Sequence, residues 1–229
     1  MQFKTPLKTE ILLGILFIPL FIFFLYYRFQ LKKVIIISQN KEIRGLSVFN
    51  KANLLLLNNE QIIYFLLSKN MFIKSIKLSK SFPSSEKMEV IWRMPYAEII
   101  SSRDPFYIDS EGFPAESDTA FSQIPQIYSP NIIINNASPD WRLKKAVYLI
   151  NLLDKKNLHL AKIAIDNNSQ VFTGLIDDSI EIIIPLNSDP QVVSASLQTI
   201  ISRFRIEGKF IAKIDFKFEK PVVILKNEQ

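Results

Sequence analysis

Few side chains in this sequence could do covalent chemistry. There is no cysteine and one histidine, His159. Without cysteine there is no thiol nucleophile, disulfide, Cys-rich zinc site or iron–sulfur cluster. A Ser-His-Asp relay would have to use His159, which sits in the apolar stretch Leu158-His159-Leu160. No motif marks a partnered Ser and Asp, so His159 reads as an ordinary strand residue. Asp104, Asp109 and Glu111 cluster as in a calcium loop, but the EF-hand ligand spacing is missing. A hairpin turn with Gly112 at positive φ is the simpler reading. The adjacent Asp177-Asp178 could be imagined as catalytic carboxylates, yet turn chemistry explains the pair more cheaply. Five glycines occur singly, so no phosphate-cradling loop can be built. The expectation is a non-enzymatic chain with no catalytic residue, cofactor or metal.

The 229 residues are 48% hydrophobic, enough to bury a real core. The net charge is +6, with basic and acidic residues interleaved and no run of like charge. That pattern does not indicate a nucleic-acid surface, while weak attraction to an acidic membrane surface fits it. Absence of cysteine is compatible with either side of a membrane.

The elements that position these residues begin with an apolar run, Ile11 to Tyr27, without a charged residue. It predicts a transmembrane helix over 11–29, with Arg28 snorkelling and Tyr26 and Tyr27 at the interface. Residues 1–10 would be a short cytoplasmic tail. No small-x-small site follows the run, which argues against a cleaved signal peptide. Flanking charges alone favour the opposite orientation to an exported domain, though long domains translocate regardless.

Beyond the run, residues 31–97 read as a strand at Val34 to Ile37, a helix at Glu60 to Ser68, and a hairpin. Asn58-Asn59 offers the helix cap, and Ile62, Ile63, Leu66 and Leu67 its apolar face. Met88, Val90, Trp92 and Met94 alternate with Lys87, Glu89 and Arg93 along the second hairpin strand. Residues 98–229 read as mostly β with flanking helices. Residues 114–130 look like a loop. Ser138 and Pro139 signal a helix with the stripe Leu143, Ala146, Val147, Ile150 and Leu153. Strands follow at 160–166, 170–176 and 180–186, then a helix capped by Asp189 and ended by Gly208. The last long strand, 210–218, would face Phe210, Ala212, Ile214, Phe216 and Phe218 one way, and Val222 to Leu225 resumes β structure. The fold class is therefore α+β: one transmembrane helix, a small domain of helices on a three-stranded sheet, and a mostly β domain.

Three motifs in this order resemble the FtsQ/DivIB family of bacterial cell-division proteins. The first is the hairpin from Met71 to Leu78 through Ser81-Phe82-Pro83 to Trp92-Arg93-Met94-Pro95. The second is Phe106-Tyr107-Ile108-Asp109-Ser110-Glu111-Gly112-Phe113, similar to the family's aromatic-Asp-x-x-Gly hairpin. The third is Ile214-Asp215-Phe216-Lys217-Phe218 with Pro221-Val222-Val223, similar to its Asp-Leu-Arg-aromatic ending. Trp92 stands where the family has Glu, and Lys217 where it has Arg. The resemblance implies a short tail, a membrane helix, a POTRA domain over 31–97 and an FtsQ-like β domain over 98–229. It places the folded parts outside the cytoplasmic membrane at the division septum. It implies a scaffold that recruits FtsB/DivIC-like and FtsL-like coiled-coil proteins, alongside other divisome membrane proteins and the lipid bilayer, with no nucleic acid. Partner contact would fall on Lys217, Phe218, Val222, Val223 and Ile224. By pattern alone, Phe218 fits the core stripe with Ile214 and Phe216 equally well; the resemblance favours partner contact. A POTRA-bearing transport or secretion component and a membrane-tethered hydrolase are the competing functions.

Overall fold

The computed structural model describes residues 7–39, 41–102, 104–116, 124–130 and 139–226, with side chains from residue 17 onward. The fold is α+β, with four α-helices and twelve strands among the described residues. The chain divides into two compact units, Met1–Trp92 and Arg93–Gln229.

Unit 1 opens with helix α1 (Leu7–Arg28). The transmembrane helix expected over 11–29 is corrected here. Among the described residues no helix is long and apolar enough to cross a membrane. The apolar side chains described on α1 run from Phe17 to Tyr27. Next come β1 (Lys33–Ile37), a 3₁₀ turn (Leu46–Phe49), α2 (Asn59–Lys69), β2 (Ile73–Ser81) and β3 (Ser85–Trp92). The three strands form one sheet in the order β1-β3-β2, with β1 parallel and β2 antiparallel to β3. Asn58 caps α2, its side chain accepting from the Gln61 amide at 3.2 Å. Ile62 and Leu66 from α2 pack on Ile73, Ile76, Met88, Val90 and Trp92. The inward face of β3 also carries Glu86, which is fully buried. Met94 is not on that face: β3 ends at Trp92, and Met94 is exposed.

Unit 2 holds β4 (Ala97–Ile100), β5 (Phe106–Ile108), β6 (Pro114–Ala115), β7 (Gln126–Tyr128), α3 (Trp141–Asp154), β8 (Leu160–Asp166), β9 (Val171–Ile176), β10 (Ile180–Pro185), α4 (Pro190–Ile206), β11 (Ile211–Asp215) and β12 (Val222–Leu225). All nine of these strands belong to a single sheet, ordered β12-β11-β10-β9-β8-β7-β4-β5-β6. Ile163 and Ile165 of β8 and Ile180, Ile182 and Ile184 of β10 point to one face. There they meet Leu143, Ile150 and Leu153 of α3 and Val193, Leu197 and Ile201 of α4. The sheet is mixed, and its opposite face is half-exposed.

Several expectations change here. The loop read over 114–130 contains β6 and β7, and β7 lies inside the sheet, parallel to both β4 and β8. Ser138 lies outside the described residues; the cap of α3 is Asp140, which accepts from the Arg142 amide at 2.9 Å. The turn at Asp109 is a lock. Asp109 Oδ1 accepts from the amides of Glu111 and Phe113, both at 2.9 Å, while Gly112 takes φ 85°. Arg93 Nη1 donates to Asp109 Oδ2 at 2.5 Å, and its guanidinium lies 4.1 Å from the Phe113 ring centroid. The charge of Asp109 is thus matched by an arginine of its own chain.

Candidate partner-binding edge

The end of the large sheet is built by a crossover. β10 runs into α4, capped by Asp189 with Pro190 in its first turn, and the chain returns as β11, parallel to β10. Pairing Glu181 with Lys213 in this register brings the Lys213 ammonium 3.0 Å from the Glu181 carboxylate. β11 then turns over residues 216–220 into β12, which pairs antiparallel with it. Among the described residues β12 has no second neighbour, so it is the edge.

A β-bulge between Ile211 and Lys213 explains why the expected alternation of the last strand fails. The extra residue lets Ile211 and Ile214 both reach the core, whereas Phe210, expected inward, is exposed. β11 also stops at Asp215, earlier than the strand expected to 218. The Asp215 carboxylate accepts from the Lys217 amide at 2.9 Å, an Asx turn that bends the chain away.

Three of the five expected contact residues, Val222, Val223 and Ile224, fall together on β12. Lys217 and Phe218 do not join them on a strand; they lie in the turn. The Lys217 ammonium sits 3.5 Å from the Asp215 carboxylate of its own chain. Phe218 is 59% exposed, so it is not part of the core stripe.

The edge has a defined polarity. The Lys226 amide donates to the Phe210 carbonyl at 2.8 Å, so residue 226 faces β11. Counting back in twos along an antiparallel strand, Ile224 and Val222 also direct their peptide groups inward, and Leu225 and Val223 direct theirs outward. The Val223 side chain packs against the core, while Val222 and Ile224 stand 42% and 50% exposed on the open face. Register extends that face into two cross-strand rows: Ile224, Lys213, Glu181 and Leu175, then Val222, Asp215, Ile183 and Thr173.

Leu225, Phe210 and Ile206 are exposed apolar residues of the same region that the sequence reading did not place among the contact residues. For Ile206 a signal was present: it stands off the buried stripe of α4, just before the helix stops. The chain matches no protein-family model and no curated protein.

Proposed function

We propose that this chain is a non-catalytic scaffold that takes an extended segment of a partner protein as an added strand along β12. One observation carries the reading. The terminal strand of a nine-stranded sheet offers outward peptide groups at Val223 and Leu225, bordered by exposed Val222 and Ile224. Unpaired edges of this kind accept main-chain hydrogen bonds, and the flanking side chains supply selectivity. The resemblance of the sequence to FtsQ/DivIB proteins suggests the partner: an FtsB/DivIC-like coiled-coil protein of cell division, with FtsL-like and other divisome proteins in the same assembly. Phe218, exposed in the turn that leads into the edge, adds an aromatic contact, and Lys217 presents its charge beside it.

Titration calorimetry of the full chain with that coiled-coil protein from the same genome tests the proposal. Val223→Pro and Leu225→Pro each remove an outward N–H while sparing the ladder to β11. Each is expected to weaken binding at least about tenfold, the loss of roughly one interfacial hydrogen bond plus edge geometry. Phe218→Lys is expected to weaken it as well. Undiminished binding by all three variants, with circular dichroism unchanged, removes the β12 edge as the docking site.

A further inference from the structure

A second surface, unrelated to the β12 edge, is built where α1 ends. Three segments of unit 1 converge on it. The Leu54 amide donates to the Phe29 carbonyl and the Leu31 amide to the Ala52 carbonyl, each at 2.8 Å. Asn53 Nδ2 donates to the Tyr26 carbonyl at 2.8 Å, and Asn53 is itself buried. From the other side, the Lys32 amide donates to the Ser84 carbonyl at 2.8 Å, and the Phe82 ring meets Phe29 edge-on at 5.8 Å. A strut closes the ring: Lys80 Nζ donates to the Leu57 carbonyl at 2.8 Å. The end of α1 is thereby held fast between the 52–57 loop and the β2–β3 turn.

What this frame displays is apolar. Leu56 is 76% and Phe82 59% exposed, and Leu55, Tyr26 and Tyr27 are exposed beside them. A loop pinned by these bonds that holds two adjacent leucines into solvent, continuous with an exposed apolar helix, marks an interaction surface. Its rim is cationic: Arg28, Lys32, Lys33 and Lys51 are all exposed. Charge across the chain is uneven in the same sense. Residues 1–92 hold thirteen Lys and Arg against five Glu and no Asp, whereas residues 93–229 hold fifteen against seventeen acidic residues. Unit 1 therefore carries +8 and unit 2 carries −2.

We infer that the Leu55-Leu56 and Phe82 face of unit 1 docks on an anionic lipid surface. The leucines and the phenyl ring enter the headgroup region beside Tyr26 and Tyr27, and the basic rim meets lipid phosphates. Aromatic rings and aliphatic tips suit that depth, and each nearby Lys or Arg gains from the negative surface potential. The occupant is lipid rather than an acidic protein because the apolar tips are continuous with the helix side chains from Phe17 to Tyr27.

The absence of native cysteine makes a clean test. Full-length Leu56→Cys, Phe82→Cys and Ile91→Cys chains are each labelled with a solvatochromic fluorophore. They are then combined with vesicles of equal parts phosphatidylcholine and phosphatidylglycerol, with and without brominated acyl chains. Ile91 is the control: it is exposed and apolar, but about 20 Å along β3 from the Ser84 turn at ~3.3 Å per residue. The expected result is a blue shift and bromine quenching at 56 and 82 and neither at 91. Quenching at 56 should fall in the Lys32→Gln/Lys33→Gln chain and on pure phosphatidylcholine vesicles. Vesicle-bound chain without quenching at 56 and 82 overturns the inference. A blue shift that grows with protein concentration in the absence of vesicles also overturns it, and names a second copy as the occupant.

Discussion

Two buried carboxylates show how the same group is treated in opposite ways. Glu86 is fully buried beneath the first turn of α2, and burial pushes its carboxyl above the usual range, against the pull of Lys80 and a bond from Asn59. Asn59 Nδ2 donates to Oε1 at 3.3 Å, but Glu86 Oε2 and Asn59 Oδ1 have no protein partner. A raised folded pKa means that the neutral form stabilises the fold fully below the unfolded value, and that this contribution is lost as pH rises through the folded pKa. Glu86→Gln keeps the shape, removes the charge and supplies an amide donor that can reach Asn59 Oδ1. It is expected to raise the melting temperature at neutral pH by a few degrees, about 1 kcal/mol, with the gain shrinking toward pH 4. A melting series across pH checks this; a gain independent of pH would reject the ionisation argument. Asp109, by contrast, is matched by Arg93 and two backbone amides. Asp109→Ala strands a buried guanidinium and is expected to cost about 3 kcal/mol, read from the denaturation midpoint. Glu111→Ala, at the exposed margin 3.6 Å from Arg93, should cost well under 1 kcal/mol.

At the scale of elements, Gly174 of β9 has a particular role. A Cβ there would lie 2.8 Å from the Lys162 carbonyl oxygen and 2.9 Å from a Leu160 methyl, beside the register shift in β8. Gly174→Ala must therefore displace a strand backbone and is expected to destabilise unit 2 by about 2 kcal/mol, measurable by urea titration. Long periodic elements were legible in the sequence. The stripe of α3, the strands near 160, 171 and 180 and the cap at Asp189 all stand where periodicity and capping residues put them. Short ones were not. β6 and β7 hold two and three residues, too few to establish a period, and their place is decided by the neighbours they pair with. The last strand misled for a different reason: strict alternation assumes no bulge, and one inserted residue at Ile211/Lys213 reverses which side chains face the core. Of the candidate edge, Val222 to Ile224 could be read from composition. The separation of Lys217 and Phe218 from the strand could not, because it depends on the Asp215 side chain capturing an amide two residues on.

For the molecule as a whole, the net charge of +6 concealed more than it showed. Interleaved signs along the sequence suggested a balanced surface, but the division at Trp92 separates a basic unit from a mildly acidic one. The two ends of the nine-stranded sheet are likewise unequal. At one end β6 spans two residues, one of them Pro114, which has no N–H to offer. At the other, β12 spans four residues without proline, and Val223 and Leu225 turn their donors and acceptors outward. In the language of polymer chemistry, the sheet is a monofunctional monomer. A protein with two receptive edges can propagate into a fibre, whereas one with a single receptive edge terminates after one joining event. Joined edge to edge through β12, two copies of this sheet would expose only their β6 ends, and growth through it would stop at the pair.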